Sequence, residues 1–247
     1  MNEVSPITVS DAAIVRVGTI TYYPELIQGS EAWLQARCGL LTASEMKLII
    51  TPTLKTADND KCRTHLWELL SQRINKFVEP HYISDDMLRG KDDEVRARIV
   101  YAEKYAPVEE MGFITNNEWG FTLGFSPDGL VGEDGFTECK SRRQKYQTET
   151  IVEHVKAGTI PAEYIMQLQT GFLVSKRKWC DFISYSGGSP MAVIRVYPDP
   201  KIQDAIVSAA ATFEAKLAEK LAIYRGVLAD PSLRLTPTER VIEQEMV

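Results

Sequence analysis

The chain is poor in the residues that build soft-metal or disulfide sites. Its 247 residues include four cysteines, Cys38, Cys62, Cys139 and Cys180, widely spread and without a C-x-x-C pair. Such spacing argues against a zinc ribbon, a disulfide framework and an iron-sulfur cluster. The three histidines, His65, His81 and His154, are equally scattered, with no two at metal-ligand spacing. All of them read as ordinary surface or core positions. Any metal ion should then be bound through oxygen, which selects magnesium or manganese.

Long apolar runs are missing too. None approaches the roughly 20 residues that span a bilayer, and the start of the chain is not a charged segment followed by an apolar one. A cytoplasmic protein is the expectation. Excess positive charge is also absent: a formal net charge of -6 argues against a protein that merely adheres to nucleic acid. The cations are nevertheless uneven, with one cluster at Lys140, Arg142, Arg143 and Lys145 and another at Lys176, Arg177 and Lys178. Either cluster reads equally well as a solvated loop.

What is present begins with ordinary globular composition, 44% hydrophobic and 25% charged, enough for a substantial core. No repeat, low-complexity tract or Gly/Ser linker divides the chain. One domain over 1–247 is expected, with a helical N-terminal subdomain at about 30–80, a core at about 84–225 and a loose tail at about 229–247.

Along the chain, Ile14 to Tyr23 suits an edge strand, and Gly29-Ser30 opens a helix. Thr42 or Ser44 starts a short helix through Ile50, Pro52 to Asp60 reads as a mobile loop, and a long helix follows from about Arg63 to Lys76 with Leu66, Leu69, Leu70 and Ile74 inward. Ser84 caps the next helix, with Asp85 and Asp86 in its first turn. On that helix Leu88, Val95, Ile99 and Ala102 lie close to one face, Glu94 sits at its border, and Gly90 leaves room for a strand end or substrate backbone. Three strands are predicted at Glu110 to Thr115, Trp119 to Ser126 and Phe136 to Lys140, as an antiparallel meander. A helix at Ala162 to Ser175, strands at Trp179 to Tyr185 and Ala192 to Tyr197, and a helix from Pro200 to Arg225 ended by Gly226 complete the order. The fold class is α/β: a mixed central sheet flanked by helices.

The chemistry concentrates at Ser126-Pro127-Asp128-Gly129 and Glu138-Cys139-Lys140. Alternation along a strand puts Glu138 and Lys140 on one face and turns Cys139 toward the core. Taken alone, the first segment also suits a type I turn and the second an exposed cross-strand pair. Together, with Glu94 on a nearby helix, they favour carboxylates that hold a hard divalent cation and a lysine that neutralises a phosphoryl oxygen or polarises water.

Pro127-Asp128 followed by Glu138-Cys139-Lys140 resembles the PD-(D/E)XK nuclease signature. Further segments narrow it: Trp33-Leu-Gln-Ala-Arg37, Leu41-Thr-Ala-Ser44-Glu45, Arg89-Gly90-Lys91-Asp-Asp-Glu94, Ser126-Pro-Asp-Gly129-Leu130 and Tyr164-Ile-Met-Gln167-Leu-Gln169. In this order they resemble the lambda exonuclease (YqaJ-type viral recombinase) family over about residues 30–225. The resemblance implies a magnesium-dependent enzyme, with manganese as a substitute, that digests the 5'-ended strand of duplex DNA to mononucleotides and leaves a 3' single strand. It implies Asp128, Glu138 and the backbone carbonyl of Cys139 as metal ligands, Glu94 supporting the metal or orienting water, and Lys140 positioning and activating that water. Arg37, Ser44 and Ser126 would grip a terminal 5'-phosphate, with Gln167 at the edge. A homotrimer, a single-strand annealing protein as partner, and a phage or prophage origin in a bacterial host belong to the same implication. The Lys140-Ser-Arg-Arg continuation departs from the Lys-Cys-Pro common in relatives, so the resemblance gives those basic residues no role. Two other readings stay open: an endonuclease or junction-cutting nuclease on the same core, and a non-catalytic scaffold that binds DNA ends for recombination.

Overall fold

The computed structural model describes residues 14–80 and 85–240, without the side chains of 85–87. The expected edge strand is instead a hairpin of β1 (Val15–Val17) and β2 (Ile20–Tyr23), because Gly18, at φ +59°, turns the chain back. Helix α1 (Glu31–Arg37) starts as expected, with the Ser30 hydroxyl accepting from the Trp33 backbone N–H. After β3 (Leu41–Thr42) comes a 3-10 segment, Ala43–Leu48, in place of the expected helix. Thr42 makes no capping hydrogen bond there; its hydroxyl donates to Glu45 instead. Helix α2 (Asp60–Asn75) begins ahead of Arg63 because Asn59 caps it, and it buries Leu66, Leu69 and Leu70.

Helix α3 (Asp85–Lys104) corrects the sequence reading of its faces. Leu88, Val95, Ile99 and Ala102 are exposed, and the helix packs through Ala97 and Tyr101. Small Ala97 permits close approach to the sheet, while the Tyr101 hydroxyl donates to buried Asp181 at 2.6 Å. A Cβ at Gly90 would meet no protein atom, so no strand end approaches it. The proposed Ser84 cap, the Asp85 and Asp86 side chains and His81 lie outside the described residues.

Among the described residues the strands form two mixed sheets. The first runs β1-β2-β4-β5-β3, with β4 (Phe113–Asn116) antiparallel to β5 (Leu123–Phe125) and β3 parallel to β5. The second runs β6-β7-β8-β9, comprising β6 (Gly129–Val131), β7 (Gly135–Ser141), β8 (Trp179–Tyr185) and β9 (Ala192–Val196), with β7 parallel to β8. The single predicted meander is thus interrupted at Ser126-Pro127-Asp128, where proline lacks the N–H a ladder needs. Phe136 lies edge-on to Phe125 and Phe172, at 5.1 and 5.0 Å between ring centres, and joins the two sheets to one core.

The basic stretch after Lys140 is not a simple loop: α4 (Gln144–Glu149) continues into a π-helical turn, Thr150–Val155. Helix α5 (Ile165–Ser175) follows a 3-10 turn at Ala162–Tyr164. Helix α6 (Pro200–Ala229), capped by Asp199, runs through Gly226 because that glycine does not take the left-handed conformation that stops a helix. Arg73 on α2 and Glu214 on α6 form a paired ion bridge, both contacts 2.7 Å. Among the described residues no helix is long and apolar enough to cross a membrane.

Candidate active site

The crossing between the sheets delivers Asp128 to β7. Its backbone N–H donates to Thr137 (3.2 Å), and its Oδ2 accepts from the Cys139 backbone N–H at 2.5 Å. Glu138 and Lys140 share the other face of β7, with Lys140 Nζ 2.6 Å from Glu138 Oε1. The Gln167 amide on α5 donates to that same oxygen at 2.5 Å. Glu138 is 2% exposed, and its second oxygen, Oε2, is buried with no hydrogen-bond partner. A buried carboxylate oxygen left this way carries a large desolvation cost, which a bound cation would offset.

Asp128, Glu138, Glu94 and Lys140 act on one another's charges. Burial, then the charges of Glu138 and Glu94, hold the Asp128 carboxyl well above its usual range. Glu94 is also raised, by burial first and Glu138 second, against the opposing pull of Arg98, Lys140 and Lys91. For Lys140, burial would lower the value, but the Glu138 and Asp128 charges win and keep the ammonium protonated. A divalent ion held by two of these carboxylates would relieve their mutual repulsion. Among the described residues no group of three or more His, Cys, Asp or Glu side chains is placed to hold a metal ion. Two carboxylates, one with an unpartnered buried oxygen, would fit magnesium, which keeps several waters.

Asp128 and Glu94 line a cleft of about 820 Å3 that extends to Trp33, Arg37, Thr42 and Glu45. Arg37 contacts the Ser126 hydroxyl at 3.5 Å and the Thr42 hydroxyl at 3.1 Å. Ser44 is exposed, its hydroxyl 3.4 Å from that of Thr42. Arg37 thus lines the cleft, Ser126 touches Arg37 directly, and Ser44 reaches it only through Thr42. Gln167 lies against Glu138 at the carboxylates. Cys139 is buried beneath α3 as expected, and burial pushes its thiol well up.

Several contributors carry no role in the sequence reading. The Trp33 indole N–H donates to Ser126 Oγ (2.9 Å), and its ring stacks 4.1 Å from the Arg37 guanidinium. Trp33 therefore orients both partners. Their separation of four positions on α1 is the signal that could have found the pair. Thr42 bridges Arg37 to Glu45, and Arg98 donates to the Asp128 carbonyl at 3.5 Å.

Two sheets with a carboxylate at their crossing, and an Glu-x-Lys strand beside it, define an exonuclease-like PD-(D/E)XK fold. Solved structures agree. An alkaline exonuclease from Laribacter hongkongensis is 30% identical, covers 81% of this chain and 98% of its own, and superposes with a TM-score of 0.71. The same exonuclease in complex with dAMP gives 31%, the same coverage and 0.71. A phage-related exonuclease from Haemophilus somnus, at 13% identity, 74% and 96% coverage and a TM-score of 0.53, shares the fold. Residues 32–178 match the YqaJ-like viral recombinase domain, and the chain belongs to that family. No curated protein matches the chain significantly.

Proposed function

We propose that this protein is a magnesium-dependent exonuclease that degrades the 5'-ended strand of duplex DNA to mononucleotides. The observation that carries the reading is the buried, partnerless Oε2 of Glu138, whose charge acts on Asp128, together with the cleft that Asp128 lines along with Glu94 and Arg37. Asp128, Glu138 and the Cys139 carbonyl would hold the ion, with manganese as a substitute. Bound there, it would polarise the scissile phosphate and lower the pKa of water.

The chain's own residues do the rest. Arg37, Ser44 and Ser126 bind the terminal 5'-phosphate, arginine through paired donors. Trp33 keeps Arg37 and Ser126 in place. Lys140, charged, donates to the attacking water or a phosphoryl oxygen, and Glu94 orients the water and accepts its proton. The water oxygen bonds to phosphorus, the bond from phosphorus to the 3'-oxygen breaks, and that oxygen takes a proton from solvent. The new end again carries a 5'-phosphate, so each product renews the substrate for the same pocket. The dAMP bound to the Laribacter relative supports a mononucleotide-sized product.

A homotrimer would enclose DNA and reconcile processive binding with an acidic chain, and a single-strand annealing protein would receive the 3' tail. An endonuclease on the same core is the second reading; Arg37 in the cleft, in contact with Ser126, favours an end-dependent enzyme. Chromatography of digests of a duplex labelled on each strand in turn tests this. Mononucleotides from the 5'-ended strand are expected, and internal fragments would sink the reading.

A further inference from the structure

Glu45 belongs to the segment Leu41-Thr-Ala-Ser44-Glu45, yet the exonuclease reading gives it no task. It lines the same cleft as Arg37, Glu94 and Asp128. The Thr42 hydroxyl has one proton and donates it to Glu45 Oε2 at 2.8 Å, so the Thr42 oxygen is left to accept from Arg37 Nη2 at 3.1 Å. These two contacts in series put the carboxylate within about 6 Å of the guanidinium. Its charge is felt there: burial lowers the pKa of Arg37, and the charge of Glu45 opposes that shift.

A carboxylate this close to a phosphate grip is an unexpected companion. Arg37 is already held without it, by the Ser126 hydroxyl at 3.5 Å and the Trp33 ring at 4.1 Å. Nor does a hydrogen bond from His65 occupy Glu45: His65 Nε2 lies 3.9 Å from Oε2, too far for one, and is buried without a partner. A negative charge in this place weakens the hold of Arg37 on any anion. In the proposed reaction each cut frees a mononucleotide that still carries the old 5'-phosphate. That phosphate must leave Arg37 before the newly formed one can enter, and a grip of cation and hydroxyls alone would retain it.

We propose that Glu45 sets the strength of the 5'-phosphate grip, lowering the affinity of Arg37 for the phosphate so that the mononucleotide product leaves after each cut. The proposal rests on the exonuclease reading and adds to it a residue that acts through Arg37 and Thr42 without touching the substrate. The sign of its effect sets it apart from a brace. Removing a brace weakens phosphate binding, whereas removing a counter-charge strengthens it.

The test is calorimetric titration of the full chain in EDTA with dAMP and, as the ligand without phosphate, deoxyadenosine. Glu45→Gln keeps an oxygen that can accept the Thr42 proton and removes the charge. It should bind dAMP about tenfold more tightly than wild type, the scale of one charge within about 10 Å of a partly buried phosphate, with deoxyadenosine unchanged. Glu45→Asp keeps the charge and should stay within about threefold of wild type for dAMP. Unchanged or weaker dAMP binding in Glu45→Gln, the same tightening in Glu45→Asp, or equal tightening for deoxyadenosine would each overturn the proposal. Arg37→Ala separates the two readings. If it loses dAMP affinity while Glu45→Gln gains none, the role of Glu45 falls and the phosphate pocket stands; wild-type dAMP affinity in Arg37→Ala would refute the pocket and the role of Glu45 together.

Discussion

Lys140 and Glu138 meet through one oxygen only. The ammonium lies 2.6 Å from Oε1, the Gln167 amide shares that atom, and Oε2 is buried with nothing bonded to it. Without a cation the site is therefore costly to the fold, and its residues should respond differently to substitution according to whether they hold the ion or act beside it.

Asp128→Ala and Glu138→Gln should abolish digestion and also abolish the rise in melting temperature on adding magnesium. Calorimetric scans with and without the ion check this. A Glu138→Gln protein still stabilised by magnesium would contradict the ligand assignment.

Lys140→Met should separate the two effects. Digestion should fall by about 100-fold or more, the usual scale for a positioned proton-transfer or charge-stabilising group, while stabilisation by magnesium persists. Loss of both together would place Lys140 in the metal site itself.

Arg37→Lys keeps the charge but loses the paired donors and the stacking on Trp33. It should raise KM for 5'-phosphorylated ends about tenfold, the scale of a lost charged hydrogen bond, and leave 5'-hydroxyl ends nearly unaffected. Equal losses on the two substrates would remove Arg37 from the phosphate pocket.

The pH dependence has a definite sign. The Asp128 carboxyl, raised well above 3.8 by burial, Glu138 and Glu94, binds a proton in the folded state that the unfolded chain has already released. Stability of the metal-free protein from this group is thus greatest at low pH and declines as pH rises through that window. Lys140, held charged by Glu138 and Asp128, adds no opposing change there. Magnesium needs the deprotonated carboxylates, so the gap between melting temperatures in magnesium and in EDTA should widen as pH rises above about 4. A gap that shrinks would contradict it.

Away from the site, Arg73→Ala removes the paired bridge to Glu214 and the Nε donation to the Gly39 carbonyl. A loss of about 2 kcal/mol is expected for charged, half-buried hydrogen bonds, or roughly 4–8 °C in a domain of this size. Thermal melts of the variant measure it directly.

How much of this was legible beforehand follows the range of the interaction. The family and the α/β class were readable because Asp128, Glu138 and Lys140 sit in short local motifs whose spacing follows from strand geometry. The helix start at Ser30, the helix from Pro200 and the strand Trp179–Tyr185 depend on near neighbours, and the sequence shows those neighbours. The face of α3 was misread because Ala97 and Tyr101 are chosen by the sheet and by distant Asp181. β6 and α4 were missed for a similar reason: β6 is three residues that exist by pairing with β7, and α4 is anchored through Gln147 to residues far along the chain. Within the site, Trp33 went unassigned because its partner Ser126 is remote in sequence.

The most direct measurement compares linear duplexes bearing 5'-phosphate or 5'-hydroxyl ends with a covalently closed circle, each in magnesium or EDTA. The account predicts rapid digestion of the phosphorylated linear duplex in magnesium, slow digestion of the hydroxyl form, none of the circle and none in EDTA. Cleavage of the circle, or equal digestion in EDTA, would contradict it.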